Sequence, residues 1–118
     1  MRLYNTLSRD VQDFAPADGK TVKMYVCGVT PYSSTHVGHA LSYVAFDTLR
    51  RYLEFLGFEV KHVQNFTDVD DKIIQRAQEQ DIEPDDLAQQ FIDDFYRTMD
   101  ALNTVSYTHL TLPTNREV

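Results

Sequence analysis

A β-run, a long helical period and a second β-run follow one another between Val22 and Asn65, and that order limits the chain to few folds. Val22-Lys23-Met24-Tyr25-Val26 is β-branched and aromatic, the composition of a buried strand. From Val37 to Leu56, the residues Leu41, Val44, Ala45, Leu49, Leu53 and Leu56 recur at three- and four-residue spacing. That period predicts a helix of roughly five turns. Gly57 follows the last periodic residue, where a left-handed helix cap favours the absence of a Cβ. Phe58 to Asn65 alternates and predicts the second strand. Strand, helix and strand form a βαβ unit, whose right-handed crossover implies a parallel sheet. The expected fold class is therefore α/β, a parallel sheet with flanking helices.

Outside this unit, Leu3-Tyr4-Asn5-Thr6-Leu7 reads as a short strand, followed by a polar loop through Asp18-Gly19. Asp70 to Gln80 predicts a helix. Pro84 to Leu102 predicts another, with proline at a first-turn position and acids behind it at the positive helix end. Leu87, Phe91, Phe95, Met99 and Leu102 make its apolar stripe. Thr104 to Val118 has no helical period, is rich in Thr and contains Pro113. We read 1–103 as one domain and 104–118 as an atypical tail, disordered or foreign.

At 118 residues the chain can bury one small core but not two. No apolar run approaches the roughly 18 residues that span a bilayer, and no basic leader precedes an apolar stretch, so we read the chain as cytoplasmic, with no membrane partner. The single cysteine, Cys27, excludes an internal disulfide and fits a reducing compartment. The formal charge is −7, and the acidic excess lies in the second half. Acidic surface repels phosphate backbones, so a general nucleic-acid-binding patch is excluded. The run from Asp81 to Asp94 is read as a solvated helix face.

The chemistry concentrates at the carboxyl ends of the two predicted strands. Thr30-Pro31-Tyr32-Ser33-Ser34-Thr35-His36-Val37-Gly38-His39 places two histidines three apart, with a glycine between, where a strand-exit loop meets a helix amino terminus. Unpaired helix N–H groups and the positive dipole end make this an anion site, and Gly38 permits close approach of a ligand to the backbone. Imidazoles at this spacing share one side of the first turn and can donate to phosphate oxygens. Such donors stabilise charge in an in-line displacement at phosphorus. Two surface or capping histidines are the plainer alternative. Position at a strand's carboxyl end, where doubly wound sheets bind ligands, favours the functional reading.

Cys27 ends the same strand. It is either a small buried hydrophobe or a zinc ligand, and no second cysteine accompanies it; His62 and His109 have no evident role beside it. Asn65-Phe66-Thr67-Asp68-Val69-Asp70-Asp71-Lys72 follows the second strand. The Thr67 hydroxyl can meet a carboxylate or a ribose. Its aspartates are read as helix caps ahead of metal ligands.

These motifs together resemble cysteinyl-tRNA synthetases, from about Leu3 to Asn103. The resemblance rests on Met24-Tyr25-Val26-Cys27-Gly28-Val29-Thr30, His36-Val37-Gly38-His39-Ala40, Tyr43-Val44-Ala45-Phe46-Asp47, Arg51-Tyr52-Leu53 and Val63 to Ile74, with Tyr4 to Arg9 matching the family's start. It implies a class I, Rossmann-like catalytic domain that activates cysteine with ATP to cysteinyl-adenylate and transfers it to tRNA(Cys), as a monomer. His36, Gly38 and His39 match the ATP-binding signature, with His36, His39 and Thr30 implied in catalysis. Gly28, Thr30, Ser42, Asn65 and Thr67 match positions lining the cysteine and adenylate pocket. Cys27 matches a zinc ligand of that pocket. A zinc-bound thiolate would favour cysteine over serine, whose hydroxyl is a poorer ligand.

Ser33 stands where the family commonly has Asp. The family's later zinc ligands, its second ATP-binding loop and its tRNA-binding helices are not in this sequence. We therefore expect the amino-terminal part of such a ligase, inactive by itself. A ligase joining cysteine to an amino-sugar inositol in mycothiol synthesis shares the Thr30-Pro31-Tyr32 and His36-to-His39 pattern and is the alternative, as is a non-catalytic folded fragment. Asp71-Lys72-Ile73-Ile74 favours the tRNA enzyme.

Overall fold

The computed structural model describes residues 1–104 and the backbone of residues 109–111. In chain order the elements are β1 (Arg2–Asn5), β2 (Asp10–Asp13), β3 (Thr21–Val26), α1 (Val37–Phe55), β4 (Glu59–Asn65), α2 (Asp71–Gln80), α3 (Pro84–Ala101) and β5 (His109–Thr111). β3 and β4 pair in parallel, from Thr21 opposite Glu59 to Val26 opposite Gln64. β5 adds in parallel on the far side of β4. The βαβ unit is present with α1 as its crossover. The atypical-tail reading of 104–118 falls largely on residues outside the described ones.

The local signals act where they stand. Asp70 is the N-cap of α2 and accepts from the Lys72 amide at 2.9 Å. α3 starts at Pro84, with Asp85 and Asp86 in its first turn. Gly57 takes φ 91°, and the Phe58 amide then reaches back to the Leu53 carbonyl at 3.1 Å, closing α1.

Two packing expectations need correction. Residues 10–13 are not loop: β2 pairs antiparallel with β1, Arg2 opposite Asp13 and Asn5 opposite Asp10. Both strands are exposed along their whole length, so no buried face imprints an alternation on the sequence. The hairpin is held by a turn in which Asn5 Oδ1 accepts from the Leu7 amide and Arg9 adopts φ 58°. Second, the expected α1 stripe is not the buried face: Leu41, Val44 and Leu56 are exposed, and only Leu53 of that set is fully buried. The inner face runs through Tyr43, Asp47, Arg50 and Leu53. Asp47 and Arg50 sit there as an ion pair at 3.0 Å with side chains 13% and 12% exposed. Arg51 and Glu54 extend the pair outward. An inward-facing pair of opposite charges is invisible to a count of apolar residues.

One core cluster joins Val26, Val29, Tyr43, Phe66, Phe95 and Met99. Phe95 takes Tyr43 and Phe66 edge-on, at centroid distances of 5.1 and 5.3 Å. A second unites Ile73 and Ala77 of α2 with Leu87 and Ala88 of α3, against Tyr32 and Phe91. On α3, Leu102 of the expected stripe is exposed, one residue past the helix end. Both clusters lie beside the loop that leaves β3, so packing carries directly into the site.

Candidate functional site

The loop 28–35 is fixed at several points. Pro31 is fully buried, and Tyr32 packs on the α2–α3 cluster beneath the Lys72 ammonium, 5.4 Å from the ring centre. The Thr35 amide approaches Asp94 Oδ2 at 3.4 Å. Delivered this way, His36 becomes the N-cap of α1 with extended backbone. Its Nδ1 accepts from the Gly38 amide at 3.1 Å and the His39 amide at 3.4 Å. An imidazole nitrogen that accepts carries no proton, so the His36 proton resides on Nε2, which is left as an outward donor. Gly38 suits this arrangement: a Cβ there would crowd the His36 ring, at 3.1 Å from Cε1 and 3.2 Å from Nδ1.

The His39 ring stacks on that of His36, centroids 3.7 Å apart. Burial lowers the His39 pKa from its ordinary value, and the neighbouring His36 lowers it further. The His39 ring is thereby held toward the neutral form, as a hydrogen-bond donor and not a fixed cation. Capping and phosphate donation were rival readings of His36; its two nitrogens allow both at once.

At the strand ends, Cys27 is exposed, and its Sγ makes a contact of 3.7 Å to the Gly28 carbonyl. The Gly28 amide donates to Asn65 Oδ1 at 2.9 Å, and the Thr67 amide donates to the Val29 carbonyl at 3.1 Å. Gly28 packs so closely on β4 that a Cβ would fall 1.4 Å from the Asn65 carbonyl oxygen. Cys27, Gly28, Asn65 and Thr67 are thus brought together. The histidine turn is tied to them by Tyr43, one turn along α1 from His39, whose hydroxyl donates to the Cys27 carbonyl at 3.3 Å. Thr30 lies half-buried within the loop, and Ser42 is exposed on α1 one turn beyond His39. Tyr43 is the member that motif reading left without a role; its signal is the i, i+4 step from His39 together with burial.

A thiolate at Cys27 can offer one ligand to a metal. Among the described residues no cluster of three or more His, Cys, Asp or Glu side chains could hold an ion, so these residues do not themselves build a zinc site. Nor, among them, is any helix long and apolar enough to cross a membrane.

The family of tRNA synthetases class I (C) catalytic domains matches residues 13–115. A cysteine–tRNA ligase of Dehalococcoides mccartyi is 54% identical over 103 residues, covering 87% of this chain and 22% of the relative. That of Archaeoglobus fulgidus is 53% identical over 110 residues, 92% of this chain and 24% of the relative. The chain spans about a fifth of the length of the curated relatives it matches. Among solved structures, methionyl-tRNA synthetase of Mycobacterium tuberculosis, in complex with methionyl-adenylate, superposes with a TM-score of 0.71 at 26% identity, over 78% of this chain and 18% of that one.

Proposed function

This chain belongs to the class I cysteine–tRNA ligase family, and from that premise we propose that it supplies the ATP- and cysteine-facing part of an enzyme that makes cysteinyl-adenylate and transfers cysteine to tRNA(Cys). The observation that carries this reading is the amino terminus of α1. There His36 spends Nδ1 on the helix cap, accepting from the Gly38 and His39 amides, and keeps Nε2–H for a ligand, with the His39 ring stacked against it at the positive end of the helix. Those donors suit the phosphates of ATP, whose charge redistributes as pyrophosphate leaves. The cysteine substrate would lie beside Cys27 and Gly28, within reach of the Thr67 hydroxyl. Thr67 accepts from Asn65 Nδ2 at 3.4 Å and so keeps its own proton to donate. A zinc ion in the whole enzyme would take Cys27 as one ligand, the remainder coming from outside the described residues; bound zinc would hold a substrate sulfur as thiolate.

The test is cysteine-dependent pyrophosphate exchange by a full-length cysteine–tRNA ligase in which residues 1–103 of this chain replace the corresponding segment. The hybrid should exchange pyrophosphate with cysteine and reject serine. Replacing His36 or His39 by Ala should depress adenylate formation far more than cysteine binding. Equal loss of both would assign the histidines a structural role and overturn the reading.

A further inference from the structure

Two of the hydrogen bonds above converge on one peptide unit. The Cys27 carbonyl and the Gly28 amide belong to the same plane and point in opposite directions across it. Tyr43 Oη donates to the carbonyl at 3.3 Å, and Asn65 Oδ1 accepts from the amide at 2.9 Å. We infer that Tyr43 and Asn65 are positioning residues that grip the Cys27–Gly28 peptide from both poles and so fix the direction of the Cys27 thiol.

The chemistry of Asn65 supports this assignment over direct contact with a ligand. The residue is 2% exposed. Its Oδ1 accepts a second bond, from Tyr25 Oη at 2.9 Å, which fills both acceptor positions. Its Nδ2 donates one N–H to Thr67 Oγ1, so both ends of the carboxamide are engaged within the protein. The backbone joins in, since the Asn65 carbonyl occupies the space a Gly28 side chain would need. Tyr43 is equally constrained: 5% exposed and set edge-on to Phe95, it aims its hydroxyl from the core. A plane held at both poles fixes ψ of Cys27 and φ of Gly28. The exposed thiol is thus presented from a rigid base, the arrangement a site needs when its geometry must precede its ligand. The value of that rigidity to catalysis rests on the pocket reading given above; the grip itself does not.

The experiment therefore uses neither ATP nor cysteine. Cys27 is the single thiol of the chain, so iodoacetamide labelling reports on it alone. Amide hydrogen exchange at Gly28 is followed beside it, with the Phe58 amide as a remote control. Asn65→Ala should speed Gly28 exchange roughly tenfold, the scale of one lost intramolecular hydrogen bond, and change the Cys27 labelling rate, while Phe58 stays protected. Asn65→Asp keeps the acceptor and should restore Gly28 protection. Tyr43→Phe, which removes one oxygen and keeps the ring, should alter Cys27 labelling without unfolding the chain. Unchanged Gly28 exchange in a folded Asn65→Ala chain overturns the grip. Unchanged labelling in both Asn65→Ala and Tyr43→Phe overturns its control of the thiol.

Discussion

The imidazole rings of His36 and His39 lie stacked, with planes inclined by only 19°, on the first turn of α1. Protonating either ring sets a charge against its neighbour. Burial is the larger cause of the lowered His39 pKa, and His36 adds to it. At His62, burial and then Arg50 lower the pKa, against the opposing pull of Asp47. A histidine with a depressed folded pKa binds its proton more readily when unfolded. Above the ordinary value of 6.5 both states are neutral and stability is unaffected; below it the unfolded chain gains protons first, and stability falls until the folded pKa is passed. Thermal melts should therefore show a falling Tm as pH drops from 7 toward 5, and His39→Asn should flatten that slope. A slope unchanged in His39→Asn and in His62→Gln would refute the assignment.

The cap and the phosphate role of His36 can be separated. His36→Ala removes the acceptor for two amides and should cost about 1 kcal/mol of stability, the usual value of an N-cap. His36→Asn restores a capping oxygen and should recover most of that in urea denaturation, yet leave adenylate formation impaired in the full-length hybrid. Recovery of activity along with stability would mean that the ring does nothing beyond capping.

Gly28→Ala places a methyl group 1.4 Å from a backbone oxygen that cannot swing aside. The ends of β3 and β4 would have to part, with loss of the bond to Asn65. We expect at least about 3 kcal/mol of destabilisation, the upper range for overpacking. A midpoint within experimental error of the parent in urea would show that the strands do not meet as described.

Gln64 points the other way. It is completely buried, and neither Nε2 nor Oε1 has a hydrogen-bond partner among the described residues. A buried amide left unpaired costs about 1–3 kcal/mol, so Gln64→Leu, close in volume, should stabilise the chain by an amount in that range. Destabilisation by the leucine would mean that the carboxamide is satisfied after all.

The parts of the fold governed by neighbours in sequence were legible before any coordinates. Gly57, Asp70 and Pro84 mark helix boundaries because capping and φ restriction act within a few residues. The βαβ order and the placing of His36 at a helix start follow from periodicity alone. What escaped was tertiary. The hairpin partner β2 carries no apolar imprint, because neither of its faces is buried. The inner face of α1 departs from the expected stripe of Leu41, Val44, Ala45, Leu49, Leu53 and Leu56 because Asp47 and Arg50 turn inward as an ion pair, which a count of apolar residues passes over. The reach of Tyr43 to Cys27 and of Asn65 to Gly28 depends on how α1 and β4 dock, which no local spacing encodes.

The parallel register of β3 and β4 also dictates an order of assembly. Thr21 cannot meet Glu59, nor Val26 meet Gln64, until the whole segment between them has been drawn into a closed loop. The entropy of that closure is unrecovered until the strands pair, whereas α1 lies inside the loop and forms from local contacts within about a microsecond. The crevice floor at Gly28 and Asn65 should consequently close late in refolding, the Gly28 amide gaining protection from exchange only after helical circular dichroism has returned.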